Sequence, residues 1–234
     1  MTNTFKPETI LGYIPGVLKA LPITMEILFL SLLIGSILGA LIATANLSNN
    51  ILLRKMSSGY ISFMRGIPTL VLIFLLYLGL PQIALNIGID MSNINKSIYI
   101  IACLSLNTSA NLAEMMRSSY LAVGKGQCEA AYSIGMKSFT AFRRIVLPQA
   151  FGIAIPTLGN NIIILLKDTS LAFAIGVIDM MGKGRALSAA SYGSNRLEVY
   201  MATGIIFWVL CIILEYSSKS AEKAYTKGRK QSAS

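Results

Sequence analysis

Long uncharged, apolar runs alternate with short polar segments along this chain of 234 residues. A membrane-spanning helix needs about 20 consecutive apolar residues, and five runs approach or exceed that length. They lie between Glu26 and Arg54, between Arg65 and Asp90, between Lys96 and Glu114, between Arg144 and Lys167, and between Glu198 and Glu215. The third and fifth runs are slightly short, which a small tilt or side chains reaching the interface accommodate. The pattern therefore predicts an all-α integral membrane protein with about five transmembrane helices.

The composition agrees with residence in a membrane. Hydrophobic residues make up 54% of the chain and charged residues only 13%, whereas a soluble domain carries roughly a quarter charged residues. The first apolar run begins too far along the chain, and is too long, for a cleaved signal peptide. Before it, residues 1–22 form a predicted amphipathic segment on the outer membrane face. Within this segment, the stretch from Glu8 to Pro22 predicts a short helix. We expect residues 1–234 to form one transmembrane permease domain.

Positive residues are distributed unevenly between the two sides of the apolar runs. With the amino terminus outside, thirteen Lys and Arg residues fall on the inner side, six on the outer side, and Lys167 within a run. The inner set is Arg54, Lys55, Arg65, Arg117, Lys125, Lys137, Arg143, Arg144, Lys219, Lys223, Lys227, Arg229 and Lys230, and the outer set is Lys6, Lys19, Lys96, Lys183, Arg185 and Arg196. Inner loops carry the positive excess, so the carboxyl terminus, with a basic tail over residues 216–234, is predicted to be cytoplasmic. The net charge of +10 is thus a topology signal and an attraction to anionic lipid, and it requires no nucleic acid.

Two groups of residues are assigned to packing. Glycine and other small residues, including Gly35 and Gly39, recur at helical spacing in the first run and predict the close approach of a neighbouring helix. The three cysteines, Cys103, Cys128 and Cys211, are odd in number and cannot form a disulfide framework. The chain has no histidine and ten acidic residues, so no metal site is expected.

The segment Gly124–Leu147 is the most charged interruption in the middle of the chain. Ala130 and Ala131 favour a helix, and Gly135 stands where such a helix would end in a left-handed cap. Basic and apolar residues then alternate at helical spacing; the apolar ones are Phe139, Phe142, Ile145 and Val146, and the basic ones are Lys137, Arg143 and Arg144. Periodicity alone predicts a basic amphipathic stretch at the membrane surface.

The residues themselves are more specific than their periodicity. Glu129-Ala130-Ala131, followed by Gly135 and then by Leu147-Pro148, resembles the EAA loop of ABC importer permeases. The strings RGIPTLVLIFLLYLGLP (65–81), SLNTSANLAEMMRSSYLAVGKGQCEAA (105–131) and LPQAFGIAIPTLGNNIIILLKDTSLAFAIGV (147–177) resemble the polar amino acid branch of that family. The resemblance covers roughly residues 20 to 225 and implies a type I importer permease fold in a bacterial cell membrane.

The resemblance also implies a role for the interruption. In this family the EAA segment is a coupling helix that docks in a cleft of a separate cytoplasmic ATPase. Glu129 would pair with a basic residue of that partner, while Ala130 and Ala131 would let the helix backbone sit deep in the cleft. Gly135 would allow the tight turn back to the membrane. Since this chain has no G-x-x-x-x-G-K-[ST] motif, ATP and Mg²⁺ would be bound by the partner ATPase, and no cofactor is expected here.

The fourth apolar run contains the candidate substrate site. Ionisable residues at membrane depth usually face a cavity or a partner, and Lys167 and Asp168 fall at the end of this run. The resemblance places Asp168 in a substrate cavity, with Asn161 where permeases for basic amino acids carry a second acid. A neutral amide is a poor counter-ion for a cationic side chain, which leaves Asp168 to hold an α-ammonium. Ser109 and Asn111 offer neutral hydrogen bonds, or else pack between helices.

The predicted function is the permease subunit of an ATP-driven amino acid importer that works by alternating access. The implied partners are two ATPase subunits, a second permease copy or a paralogue, an extracellular or periplasmic solute-binding protein, and membrane lipid. The substrate indicated is cystine or a related sulphur amino acid, with glutamine or another polar or basic amino acid as the alternative. An ion-coupled secondary transporter is disfavoured because no internal repeat is visible. No catalytic motif supports an intramembrane enzyme.

Overall fold

The structure is a computed structural model that describes residues 5–231, with side chains described for residues 5–225. The described part is helical and contains no β-strand. The α-helices are α1 (Ile10–Leu18), α2 (Leu21–Asn46), α3 (Ile51–Gly66), α4 (Thr69–Phe74), α5 (Leu80–Asn86), α6 (Lys96–Ala122), α7 (Lys125–Ser133), α8 (Ser138–Ala141), α9 (Leu147–Thr169), α10 (Met180–Ala190) and α11 (Arg196–Gln231). π-Helical turns at Leu75–Gly79 and Phe142–Val146 join α4 to α5 and α8 to α9, and a 3₁₀ turn, Ser170–Ile175, follows α9.

Four helical stretches are long and apolar enough to cross a membrane, and they correspond to four of the five predicted spans. They are Leu21–Asn46, Thr69–Asn86, Ser138–Ile175 and Arg196–Tyr225. The remaining predicted span forms α6, whose 27 residues extend about 40 Å. Asn107, Asn111 and Glu114 lower its hydropathy. The expected all-α membrane fold is therefore confirmed.

α6 lies in the middle of the bundle, which explains why it tolerates polar residues. α2, α3, α4 and α9 all pack against it, and the side chains of Ile100, Cys103 and Leu112 are fully buried. A helix surrounded by protein presents little surface to lipid, so its hydropathy need not be high. Tyr60 and Met64 of α3 bond to Ser109 and Asn107 of α6. The buried Ser105 hydroxyl has no hydrogen-bond partner in the described part of the chain.

Two backbones pass very near to one another where α2 crosses α6. A Cβ atom added at Gly35 would lie 3.0 Å from the Thr108 side chain, and one at Gly39 would lie 3.0 Å from the Ser109 carbonyl oxygen. Only glycine permits so close an approach. The packing role predicted for these two residues is confirmed.

The helix α3 was not predicted, because it lies in the short polar stretch between two apolar runs. The Asn50 side chain caps its start by accepting hydrogen bonds from the Leu52 and Leu53 amides at 2.9 and 3.4 Å. α3 packs against both α2 and α6. The Asn46 side chain at the end of α2 donates to the Ser58 hydroxyl at 2.9 Å, which ties the two helices together across their connection.

The amino-terminal helix α1 is docked onto the rest of the chain. Packing against α10 and α11 is reinforced by a hydrogen bond from the Asn195 side chain to the Tyr13 hydroxyl at 2.8 Å. The Lys6 amide donates to the Glu198 carboxylate at 3.0 Å. The short helix predicted within residues 1–22 is present, while residues 1–4 lie outside the described part. The predicted tail residues Lys227, Arg229 and Lys230 lie beyond the described side chains.

We predict that Gly39→Leu destabilises the bundle by about 1–3 kcal/mol, the usual cost of overpacking a close contact. The added side chain would force α2 away from the Ser109 carbonyl oxygen and from the Leu112 side chain. Thermal unfolding of the purified protein in detergent measures the change. Gly59→Leu is the matched control, since a Cβ atom there meets nothing within 4 Å. Equal melting temperatures for the two variants would contradict this account of the crossing.

Candidate functional site

The segment Gly124–Leu147 begins with a short helix that ends in a left-handed turn. α7 covers Lys125–Ser133, and Gly135 adopts φ +80°. The Gly135 amide donates to the Tyr132 carbonyl at 2.9 Å, and the Met136 amide donates to the Ala131 carbonyl at 3.1 Å. These two hydrogen bonds form a Schellman motif, which satisfies carbonyls that the helix end leaves without partners. The left-handed cap predicted at Gly135 is confirmed.

α7 presents a mixed polar and apolar face to the outside. Glu129 and Ala130 are exposed, as are the side chains of Tyr132 and Ile134, at 49% and 71%. Ala131 differs from its neighbours because it is only 1% exposed. Its methyl group packs within this chain, so any effect on a partner would be indirect. Sequence reasoning missed Tyr132 and Ile134, although exposed apolar residues in a charged segment are a signal of binding.

A cleft lies between α7 and the bundle. Its volume is about 320 Å³, and Tyr120, Cys128, Glu129 and Val146 are among the residues that line it. The Gln149 side chain at the start of α9 donates to the Gln127 side chain at 3.2 Å, which fastens α7 to α9. This exposed hydrogen bond places Gln127 of α7 beside the start of α9.

The predicted basic amphipathic stretch is the beginning of a span. Residues 138–175 form one continuous helical stretch that includes the π-turn and α9. Val146 is buried and Phe139 is exposed, while Arg143 and Arg144 remain exposed near the helix start. The amphipathic pattern therefore marks where this span enters the bundle.

Two of the predicted substrate residues lie on the same face of α9. Asp168 and Asn161 are seven residues apart, which is close to two full helical turns and about 10 Å. The Thr69 hydroxyl at the start of α4 donates to the Asp168 carboxylate at 3.4 Å. The Asn161 amide approaches the Met115 sulfur atom on α6 at 3.8 Å. Both side chains are half-buried and face α6 and α4, with the buried Leu165 between them on this side of α9. We call Asp168, Asn161 and Thr69 the polar seam.

Ser109 is not part of this seam. Its side chain is fully buried, its hydroxyl donates to the Leu106 carbonyl at 2.7 Å, and it shares a hydrogen bond with the Tyr60 hydroxyl at 2.8 Å. The structure thus favours the packing alternative for this residue. A hydroxyl inside a membrane protein must find an internal partner, and α3 supplies that partner.

Asn111 lies on α6 one turn before Met115 and is half-buried. Its amide donates to the Asn107 carbonyl and side-chain oxygen atoms at 3.2 and 3.1 Å. The Asn107 amide in turn donates to the Met64 carbonyl on α3 at 3.3 Å. Sequence reasoning missed Thr69 and Asn107, although Asn107 and Asn111 have the i, i+4 spacing of one helix face.

A buried carboxylate at the start of α10 was also missed. The fully buried Asp179 accepts hydrogen bonds from the Met181 and Gly182 amides at 3.2 and 2.8 Å. Burial raises the pKa of Asp179 to about 6, although both backbone hydrogen bonds favour its ionised form. An acid before a helix is a capping signal, and its role here is structural. Among the described residues, no group of three His, Cys, Asp or Glu side chains is placed to hold a metal ion.

Apolar helices packed around a polar seam, with an exposed short helix at one end, are the architecture of a membrane transport subunit. The chain belongs to the family of binding-protein-dependent transport system inner membrane components, whose sequence profile matches residues 31–227. The family resemblance inferred from the sequence is thereby confirmed. It is a permease subunit of the amino acid ABC importers, resident in the bacterial plasma membrane.

Two curated relatives match over nearly the whole chain. The L-cystine transport system permease protein TcyL of Bacillus subtilis (strain 168) is 41% identical over 229 residues, covering 98% of this chain and 95% of the relative. The probable amino-acid permease protein YxeN of the same organism is 42% identical over 226 residues, covering 96% of this chain and 98% of the relative. A crystal structure described as an amino acid ABC transporter with histidines is 29% identical, covers 94% of this chain and 99% of its own, and has a TM-score of 0.83.

Proposed function

We propose that this chain imports cystine or a related sulphur amino acid as the membrane half of an ATP-driven complex. The observation that carries this proposal is the 41% identity to an L-cystine permease over 98% of the chain. Two partner ATPase subunits bind ATP and Mg²⁺ and supply the energy. A second permease copy or a paralogue completes the pathway, and a solute-binding protein delivers the amino acid from outside.

The charges along α9 support a substrate without a cationic side chain. Asp168 provides one half-buried carboxylate, which hydrogen-bonds to Thr69 and can receive the α-ammonium that all amino acids carry. Two turns away, Asn161 offers an amide that faces Met115, and an uncharged amide gives no compensation for a guanidinium or a second ammonium. Glutamine or another polar or basic amino acid is the alternative substrate.

Coupling to the ATPase is assigned to the segment Gly124–Leu147. Exposed Glu129 is available for an ion pair with a basic residue, and the small, exposed Ala130 permits close approach of the α7 backbone to a cleft. Ala131 supports this surface from beneath through its buried methyl group. Gly135 sets the direction in which the chain returns to the span that carries Asp168.

We predict that Gly135→Val uncouples ATP hydrolysis from transport. A left-handed conformation costs an L-residue roughly 1–2 kcal/mol, and more for a β-branched one, so the turn at φ +80° would be displaced. We expect uptake by the reconstituted complex to fall about tenfold. Gly135→Asn is the matched control, because asparagine tolerates this conformation and should retain most of the uptake. Normal uptake by Gly135→Val would refute the role given to the turn.

We predict that Asp168→Asn weakens the apparent affinity for substrate by one to two orders of magnitude. The change keeps the shape and removes the charge, and a hydrogen bond to a charged group contributes roughly 1.5–3 kcal/mol. Assembly with the ATPase should survive, since Asp168 is at the other end of α9 from Gln149, which contacts α7, a separation of about 28 Å along the helix. The measurement is uptake into proteoliposomes over a panel of labelled amino acids.

Asn161→Asp is the companion variant in the same assay. It introduces an acid two turns from Asp168 and should shift preference towards arginine or lysine, provided that the solute-binding protein delivers them. If Asp168→Asn transports normally and Asn161→Asp leaves selectivity unchanged, the substrate does not pass this face of α9.

A further inference from the structure

Lys167 is the cation at membrane depth that the proposed transport site does not use. It directly precedes Asp168, and successive residues of a helix point about 100° apart. The Asp168 side chain faces α4, whereas the exposed Lys167 side chain lines a groove between α9, α10 and α11. None of the described carboxylates forms an ion pair with Lys167. Lys167 lies in the last turn of α9, where a lysine side chain can reach the interface, so its partner is either water or an anion bound in the groove.

The groove is lined by one basic residue, by three residues with hydroxyl groups (Ser170, Tyr200 and Thr203) and otherwise by apolar side chains. Its volume is about 300 Å³, with Lys167 and Ser170 on the α9 side, Met181 on α10, and Tyr200, Gly204 and Phe207 on α11. The α11 residues extend over seven positions, about 10 Å along the helix. A Cβ atom added at Gly204 would meet nothing within 4 Å, so the floor of the groove is open.

The position of the groove limits what can fill it. Its α11 wall belongs to the candidate membrane span Arg196–Tyr225. Lys167 attracts an anion, and the largely apolar walls suit an apolar body about 10 Å long. Basic pockets between transmembrane helices bind the head groups of anionic lipids on the cytoplasmic side, and the same charge attraction applies to anionic lipid at the other face.

We propose that this groove binds an anionic phospholipid. The lipid phosphate contacts the Lys167 ammonium, and one acyl chain lies along Tyr200, Gly204 and Phe207. The lipid would thereby brace the outer end of α9 against α10 and α11, next to Asp168. Lipid binding itself does not depend on which amino acid is transported.

A second copy of this chain is the competing occupant. It would have to bring a carboxylate to Lys167, and Glu26 is an exposed acid near the outer end of α2. The two occupants differ in their consequences. Removal of the Glu26 charge would mimic the loss of Lys167 if the copies meet there, and it would have no effect on a lipid site.

Tryptophan fluorescence provides the test, because the chain has a single tryptophan, Trp208, beside Phe207. The double variant Phe207→Trp, Trp208→Phe moves this reporter into the groove. The complex is reconstituted in phosphatidylcholine vesicles with a small, equal fraction of either brominated phosphatidylglycerol or brominated phosphatidylcholine. We expect the anionic lipid to quench the reporter with about tenfold higher apparent affinity, and Lys167→Gln to abolish this difference.

Matched variants separate a specific lipid site from a general attraction of the protein for anionic lipid. Lys167→Arg should keep the preference for the anionic lipid, and Lys19→Gln, an exposed outer lysine outside the groove, should leave it unchanged. Mass spectrometry of the lipids retained by the purified complex, with and without Lys167→Gln, tests the same claim in protein that keeps Phe207 and Trp208. Equal quenching by both lipids, equal retention of anionic lipid, or a disulfide between copies carrying Glu26→Cys and Lys167→Cys would overturn the proposal.

Discussion

The burial of the polar helix α6 is the constraint on which the rest of the structure depends. Inside a membrane every backbone and side-chain polar group must find its partner within the protein. α6 departs from this requirement at Ser105, whose buried hydroxyl has no hydrogen-bond partner in the described part of the chain. α2 crosses α6 at Gly35 and Gly39 at backbone distance. On another side, Tyr60 of α3 bonds to Ser109, and the Met64 carbonyl accepts from Asn107. These contacts leave one side of α6 to face α9, where the polar seam forms.

The seam and the inner surface are connected by a single stretch of helix. Residues 138–175 run without interruption from the segment that follows Gly135 to the level of Asp168. Gln127 on α7 holds the inner end of this stretch through Gln149, and Thr69 contacts its outer part through Asp168. If α7 is the coupling helix, as we propose, its movement would be passed towards Asp168 along this stretch, where the π-turn Phe142–Val146 and Pro156 are the points at which it can bend. Under the proposed function, this stretch is the path by which an external ATPase would drive alternating access.

Much of the fold could be predicted from the sequence, because apolar runs and charge distribution respond directly to the bilayer. The left-handed turn at Gly135 was also predictable, since local chemistry determines it. α3 escaped prediction because it is amphipathic: Ser57, Ile61 and Met64 are buried against the bundle, while its other large apolar side chains are exposed. Its charged residues keep it from forming an apolar run. The environments of Ser109 and Thr69 depend on tertiary contacts with Tyr60 and Asp168, which no local pattern reveals. The substrate and coupling roles of the named residues stay predictions.

ATP-dependent uptake by the reconstituted complex distinguishes an ABC importer from a transporter driven by an ion gradient. Proteoliposomes would contain this chain with its ATPase, and the solute-binding protein would be added outside together with labelled amino acids. The account predicts that cystine accumulates only when ATP is present on the ATPase side, and that dissipating sodium and proton gradients has no effect. Accumulation driven by an ion gradient without ATP, or arginine taken up in preference to cystine, would contradict it.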